Sequence, residues 1–226
     1  MAEYDLVASG VSKVYGDLVA LEPLDLEVAA GERLALVGHN GSGKSTFLRL
    51  AAGLLEPTDG TVEVSGAPAG SVAARTATAY VPDDPVLYDD LSVREHLTYI
   101  ASLHRSEPTE DEVDELLTML GLAGRADDLP ARFSRGLRQK TSLAIAFVRP
   151  FDVLLVDEPF VGLDAPGKQA LFELLDRTYD QGQTLLVATH DPSFVERVDR
   201  CVALRDGQVV HDGPATAADV LRLVGA

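Results

Sequence analysis

The run Gly38-His39-Asn40-Gly41-Ser42-Gly43-Lys44-Ser45-Thr46 lies between the apolar stretch Leu34 to Val37 and the stretch Phe47 to Leu50. A strand, a glycine loop and a helix start therefore follow one another directly. In that setting Gly38, four intervening residues and then Gly43-Lys44-Ser45 read as a phosphate-binding P-loop. Glycines at 38, 41 and 43 remove side chains that would hold backbone N–H groups away from phosphate oxygens. The loop becomes a cradle of donors at a helix N-terminus, whose partial positive charge favours a polyanion. Lys44 adds a formal charge for the outer phosphates, and the Ser45 hydroxyl is a ligand for Mg²⁺. Thr46 reads as a residue of the first helical turn.

The other chemistry in the chain is acidic. Val153-Leu154-Leu155-Val156-Asp157-Glu158 is an apolar run that ends in two adjacent carboxylates, as a buried parallel strand would deliver them to the phosphate end of such a fold. Successive strand side chains face opposite ways, so the two acids are expected to have different roles. Asp157 is the candidate for holding Mg²⁺ through its water shell, and Glu158 for orienting or deprotonating an attacking water. Taken alone the pair would read as a surfacing loop; the P-loop is what gives it meaning. His190 follows the apolar strand Thr184 to Thr189, which would bring it to the same crevice as a hydrogen-bonding group. No nucleophile elbow and no Cys/His metal spacing is present in the sequence, so Mg²⁺ is the expected metal.

Composition narrows the partners. With 19 basic against 36 acidic residues, the net charge is −17, and there is no Lys/Arg-rich block. Sequence-neutral binding to nucleic acid or to an anionic membrane surface is disfavoured, whereas a P-loop builds its positive field locally. Cys201 is the one cysteine; it sits in an apolar run and reads as a small core residue of a protein in a reducing compartment. The N-terminal MAEYDLVASG has no basic and no long apolar region, and no stretch approaches the roughly 20 apolar residues of a membrane span. The expectation is a soluble cytoplasmic protein, with any membrane role exerted through a partner.

Short β-type runs at Asp5 to Ser9, Leu24 to Val28 and Arg33 to Val37 precede the P-loop. Tyr15 lies between the first two; it reads equally as a ring offered to a nucleobase and as a half-buried strand tyrosine. The P-loop helix is expected from about Ser45 to Ala52, stopped by Gly53, with strands at Thr61 to Val64 and Thr78 to Val81 separated by a loop. At Pro82-Asp83-Asp84-Pro85 the pattern turns helical: a capping box at Ser92 to Glu95, a second helix start at Thr109 to Glu112, and a third helix over Phe133 to Val148. β/α alternation resumes at Asp152, with strands over Val153 to Val156, Thr184 to Ala188 and Arg200 to Leu204, a helix after Pro166 and a hairpin through Asp206-Gly207.

In this order the motifs resemble those of the ATP-binding subunits of ATP-binding cassette (ABC) transporters, and the resemblance covers nearly the whole chain. Gly38 to Thr46 resembles the Walker A motif, Val153 to Asp157 the Walker B motif followed by the catalytic Glu158, and Tyr15 stands at the adenine-stacking aromatic. Phe133-Ser134-Arg135-Gly136-Leu137-Arg138-Gln139-Lys140 resembles the signature, usually LSGGQ; Val161-Gly162-Leu163-Asp164 resembles the D-loop, and His190 the switch histidine. Two departures stand out. The first glycine of the signature is Arg135 and its glutamine is Leu137, while the residue after Tyr80-Val81-Pro82, usually a glutamine, is Asp83. A carboxylate at 83 can ligate Mg²⁺ beside Ser45 and Asp157, but it adds negative charge next to ATP.

The resemblance implies an α/β fold: a P-loop NTPase core of ABC type in one domain over 1–226. Residues 1–83 and 151–226 would form the core with an N-terminal antiparallel β subdomain, and 84–150 an inserted helical subdomain. It implies a Mg-dependent ATPase with ATP and Mg²⁺ as cofactors, Lys44, Glu158 and His190 as catalytic groups, and Asp164 in the D-loop. Ser134, Arg135 and Gly136 would face the nucleotide of an opposing subunit. The working form would be a head-to-tail dimer with itself or with a second ATP-binding subunit, peripheral on the inner face of the cell membrane through polytopic partners. The acidic residue at 83 and the arginine in the signature are most similar to bacterial ABC-2 type exporters. A soluble single cassette serving an assembly process and a subunit that binds ATP without hydrolysis are the alternatives.

Overall fold

The computed structural model describes residues 3–224. In chain order the elements are β1 (Tyr4–Tyr15), β2 (Leu18–Ala29), β3 (Arg33–Val37), α1 (Lys44–Ala51), β4 (Asp59–Val64), β5 (Ala67–Pro68), α2 (Val72–Ala77) and β6 (Thr78–Val81). There follow α3 (Val93–Leu103), α4 (Glu110–Met119), α5 (Arg135–Phe147), β7 (Val153–Asp157), α6 (Ala165–Asp180), β8 (Thr184–Thr189), β9 (Arg200–Arg205), β10 (Gln208–Gly213) and α7 (Ala217–Val224). By contacts the chain divides into two compact units: one runs to Tyr80 and resumes over Phe151–Glu158 and from Thr178, and the other comprises Val81–Pro150 and Pro159–Arg177.

The first unit contains two sheets. The antiparallel sheet has the order β2-β1-β4-β5, and the mainly parallel one the order β10-β9-β3-β8-β7-β6. β3 pairs in parallel with both β8 and β9, and β7 pairs in parallel with β8. Strands buried on both faces must be apolar throughout, and Leu34 to Val37, Val153 to Val156 and Leu185 to Ala188 are all at most 1% exposed. α1 packs on this sheet with Phe47, Leu48 and Leu50 as its buried face.

β1 and β2 each run for 12 residues, well beyond the short runs at 5–9 and 24–28 that alternation suggests. The extra length is hidden from a period-2 reading by register shifts between Ala8 and Val11, Val11 and Lys13, and Lys13 and Val14. The two strands close in a tight hairpin, with Tyr15 opposite Leu18. The segment between β5 and β6, expected as loop, contains α2; its start is set by Ser71, whose hydroxyl accepts the Ala74 N–H at 3.2 Å.

The second unit is helical. α3 and α4 both pack on α5 around Leu97, Leu117 and Leu143, which are fully buried. Capping boxes hold the starts of α3 and α4, with Ser92 exchanging hydrogen bonds with Glu95 and Thr109 with Glu112. The reading of the helical part as 84–150 alone omits Pro159–Arg177, which also belongs to this unit. That segment is bound to α5 by long-range contacts, among them Lys140 with Asp164 at 2.8 Å, that local patterns do not reveal.

Cys201 lies on β9, 1% exposed, and burial pushes its thiol up to about 11. A buried thiol with so little thiolate is inert. At pH 8 an alkylating reagent is therefore expected to leave the native protein unmodified and to label it stoichiometrically in denaturant, as intact mass would show. Rapid native labelling would contradict this burial.

Candidate active site

The parallel register decides which residues meet. Val37 at the end of β3 lies opposite Thr189 at the end of β8, and Asp157 at the end of β7 lies opposite Ala188. The residues that follow are the P-loop, His190 and Glu158, so three segments far apart in sequence leave the sheet at the same carboxyl edge. β3 is flanked by β8 on one side and β9 on the other, and ligands of open α/β sheets bind in such a crevice.

Within the P-loop, Gly43 is the N-cap of α1 at φ +106°, a conformation that L side chains rarely adopt, and a Cβ there would lie 2.9 Å from the Ala20 carbonyl oxygen. A Cβ on Gly38 would collide with Ser42 Oγ and with the Leu204 carbonyl. Glycine at both positions lets β2 and β9 close in on the loop. Ser42 is buried and its hydroxyl has no hydrogen-bond partner among the described residues. His39 accepts or donates at Nδ1 to its neighbour, 2.8 Å from the Asn40 carbonyl, and its Nε2 lies 3.5 Å from Asp206. Gly41 and Asn40 form the tip, and Ser45 and Thr46 are half-buried in the first turn of α1.

Lys44 is 5% exposed. Its ammonium donates to the Gly38 carbonyl at 2.8 Å and to the His39 carbonyl at 3.3 Å, and lies 3.3 Å from Glu158 Oε1. The other carboxylate oxygen, Oε2, lies 2.8 Å from His190 Nδ1 and accepts the His190 N–H at 3.3 Å. Glu158 thus sits between an ammonium and an imidazole. It is outside the strand, with φ +46°, and its own N–H donates to the Ala188 carbonyl at 2.8 Å. The expectation that strand alternation alone separates the two acids is corrected here. Asp157 is the last residue of β7, whereas the left-handed backbone at 158 aims Glu158, a conformation that a non-glycine residue holds only where the surroundings impose it.

The oxygen donors suit Mg²⁺. Asp157 is wholly buried at the end of β7, and α1, which carries the Ser45 hydroxyl, packs on β7. One hydroxyl and one carboxylate are what a hard octahedral cation accepts when it keeps water and phosphate oxygens in its other positions. Tyr15 ends β1 with its ring 46% exposed and the Lys13 ammonium 5.2 Å from the ring centroid. Its strand partner Leu18 is two residues from Ala20, whose carbonyl lies against Gly43.

The remaining sequence candidates belong to the second unit. Ser134 is the N-cap of α5, its hydroxyl accepting the Leu137 N–H at 3.3 Å. A Cβ on Gly136 would run into the Gly162 carbonyl, so the start of α5 and the turn at 162 meet backbone to backbone. Asp164 accepts hydrogen bonds from Lys140 and from the Gly167 N–H, and these, Lys140 foremost, hold its carboxyl below the ordinary value. Asp83, expected as a third oxygen ligand for the metal, has its carboxylate 2.6 Å from the Arg135 guanidinium. Sequence reasoning gave no role to Lys13 or Lys140; neither sits in a motif whose chemistry requires it.

Fold and site define a P-loop nucleotide-binding protein of the cassette type. Residues 21–161 match the family model described as ABC transporter, and the chain belongs to that family. It is 36% identical over 205 residues to the SkfA peptide export ATP-binding protein SkfE of Bacillus subtilis, a match covering 89% of this chain and 86% of that protein. To the sulfate/thiosulfate import ATP-binding protein CysA of Synechocystis it is 35% identical over 215 residues, covering 93% of this chain but 61% of the relative. Among solved structures, the dimeric ATP-binding cassette MJ0796 in a post-hydrolysis state with ADP and Pi superimposes with a TM-score of 0.83 at 25% identity, over 92% of this chain and 98% of that one.

Because Gly136 meets the Gly162 backbone, Gly136→Ala is expected to destabilise the protein by about 1–3 kcal/mol, the cost of overpacking, even though alanine is the better helix former. Urea unfolding measures it, and an unchanged or raised midpoint would show that the turn has room.

Proposed function

We propose that the chain is the ATP-hydrolysing subunit of an exporter, acting as a head-to-tail dimer on separate membrane subunits. The observation that carries the reading is the Glu158 carboxylate, held between Lys44 and His190 where β3, β7 and β8 end. In this role Lys44 exchanges the Gly38 and His39 carbonyls for phosphate oxygens. Glu158, released from the ammonium, accepts a proton from the attacking water, and His190 keeps the carboxylate oriented. Mg²⁺, when bound through Ser45 and Asp157, neutralises charge that develops on the phosphates. Catalysis on this account is mostly placement and electrostatic stabilisation.

Ser134 and Gly136 stand at the N-terminus of α5, and by resemblance they serve the nucleotide of the opposing protomer, with Tyr15 stacking on adenine. A dimer is supported by the likeness to the dimeric ADP- and Pi-bound cassette. No helix among the described residues is long and apolar enough to cross a membrane; on this reading the membrane part belongs to partner subunits, with the chain at their inner face. Export is supported by the peptide-export relative and by the residues at 83 and 135; the import relative shows that the cassette by itself does not fix direction.

Lys44→Ala is expected to abolish nucleotide binding, and Glu158→Gln to keep binding while lowering turnover by about 10²–10⁴-fold. Steady-state hydrolysis and binding of a fluorescent ATP analogue read both. Unaltered turnover in Glu158→Gln would remove the carboxylate from this role. Detergent pull-down of the tagged chain from its host's membranes tests the transport assignment: a stoichiometric polytopic protein supports it, and soluble partners alone refute it.

A further inference from the structure

The P-loop is backed by the hairpin turn Asp206-Gly207 between β9 and β10, and all the residues concerned belong to the first unit. The Gly207 N–H donates to the Ser42 carbonyl at 3.1 Å, and the Gly207 carbonyl accepts the Glu22 N–H at 3.0 Å. One residue thus ties β2, the turn and the P-loop together through backbone alone. The fit is close on both sides: a Cβ on Gly207 would lie 3.1 Å from the Glu22 nitrogen, and one on Gly43 would lie 3.6 Å from the Gly207 Cα. Asp206 and Gly207 have φ +49° and +79°, as a two-residue type I′ loop joining Arg205 to Gln208 requires.

The Ser42 carbonyl and the Gly43 N–H belong to one peptide plane. No cis peptide bond occurs among the described residues, and in a trans peptide these two groups point in opposite directions. A carbonyl drawn onto Gly207 therefore turns the Gly43 N–H away from the turn. Gly43 is the N-cap of α1, and the amides of such a glycine loop are the donors that it offers to phosphate. The side chains of the contact contribute less. Asp206 Oδ1 lies 3.5 Å from His39 Nε2, but the carboxylate is 83% exposed, and pairs so exposed are weak.

We propose that the Asp206-Gly207 turn is a positioning element of the phosphate site: through the Gly207 amide it sets the direction of a P-loop donor, and with it the affinity for nucleotide. The proposal rests on the ATPase reading above. Coupling of this kind is reciprocal, so a nucleotide that tightens the loop also steadies the turn.

The molecule supplies its own control. Ser65-Gly66 is a second two-residue hairpin loop, between β4 and β5, with φ +49° and +73°, and a Cβ on Gly66 would meet nothing within 4 Å. Alanine at either glycine bears the same left-handed strain, so both variants should lower the melting temperature measured without nucleotide. Gly207→Ala alone is expected to raise KM for ATP, by about fivefold, the scale of one misplaced backbone hydrogen bond, with kcat little changed. Gly66→Ala should leave KM at the parent value. Asp206→Asn, which keeps the left-handed loop but not the charge, should leave KM within about twofold of the parent. Hydrogen exchange on the parent chain gives a reading that needs no variant: MgADP should slow the Gly207 amide more than the amides of the β4–β5 hairpin. The proposal is overturned by a KM that Gly207→Ala does not move, or that Gly66→Ala or Asp206→Asn moves as far. A Gly207 amide indifferent to MgADP while the P-loop amides slow overturns it too. P-loop amides that are themselves indifferent, with hydrolysis that does not need Lys44, overturn the ATPase reading and the proposal with it.

Discussion

The parallel pairing of β3, β8 and β7 is the constraint on which the site depends. Each strand is short with an apolar, buried centre, and each ends where the candidate site begins. Parallel register places the ends of all three strands at one edge of the sheet, so a loop of amides, a carboxylate and an imidazole converge without any of them being near the others in sequence. Slipping one strand by a residue would turn its side chains to the opposite face and carry the candidate residue that follows it away from the edge. The burial of these strands is therefore what gives the site its precision.

Around that edge the charges are arranged as a closed set. Lys44 has turned back onto the Gly38 and His39 carbonyls and onto Glu158, and Glu158 is shared with His190. A buried ammonium needs partners, and the loop and the carboxylate provide them. The same groups are those that a triphosphate would redistribute.

The helical unit shows a second economy. α5 presents Arg135 to Asp83, Arg138 to the Pro85 carbonyl and Lys140 to Asp164, so one helix binds two loops through three basic residues in a chain rich in acids. Of these contacts the Arg135–Asp83 pair is about half exposed, whereas Lys140 is largely buried.

Local chemistry made much of the protein legible. The P-loop, the apolar strands on either side of it, the acidic pair and the capping boxes at Ser92 and Thr109 could all be read from residue types and spacing, because each depends on neighbours within a few residues. The lengths of β1 and β2 were hidden by bulges, which break alternation without breaking the strand. The left-handed backbone of Glu158 and the meeting of Asp83 with Arg135 could not be read at all. The first is imposed by the pairing of its N–H with β8, and the second joins residues that only the packing of α5 brings together. Sequence determined the family to which this chain belongs and which groups are candidates for its chemistry. Tertiary structure decided which charges face which, since direction and distance between remote side chains are set by packing alone.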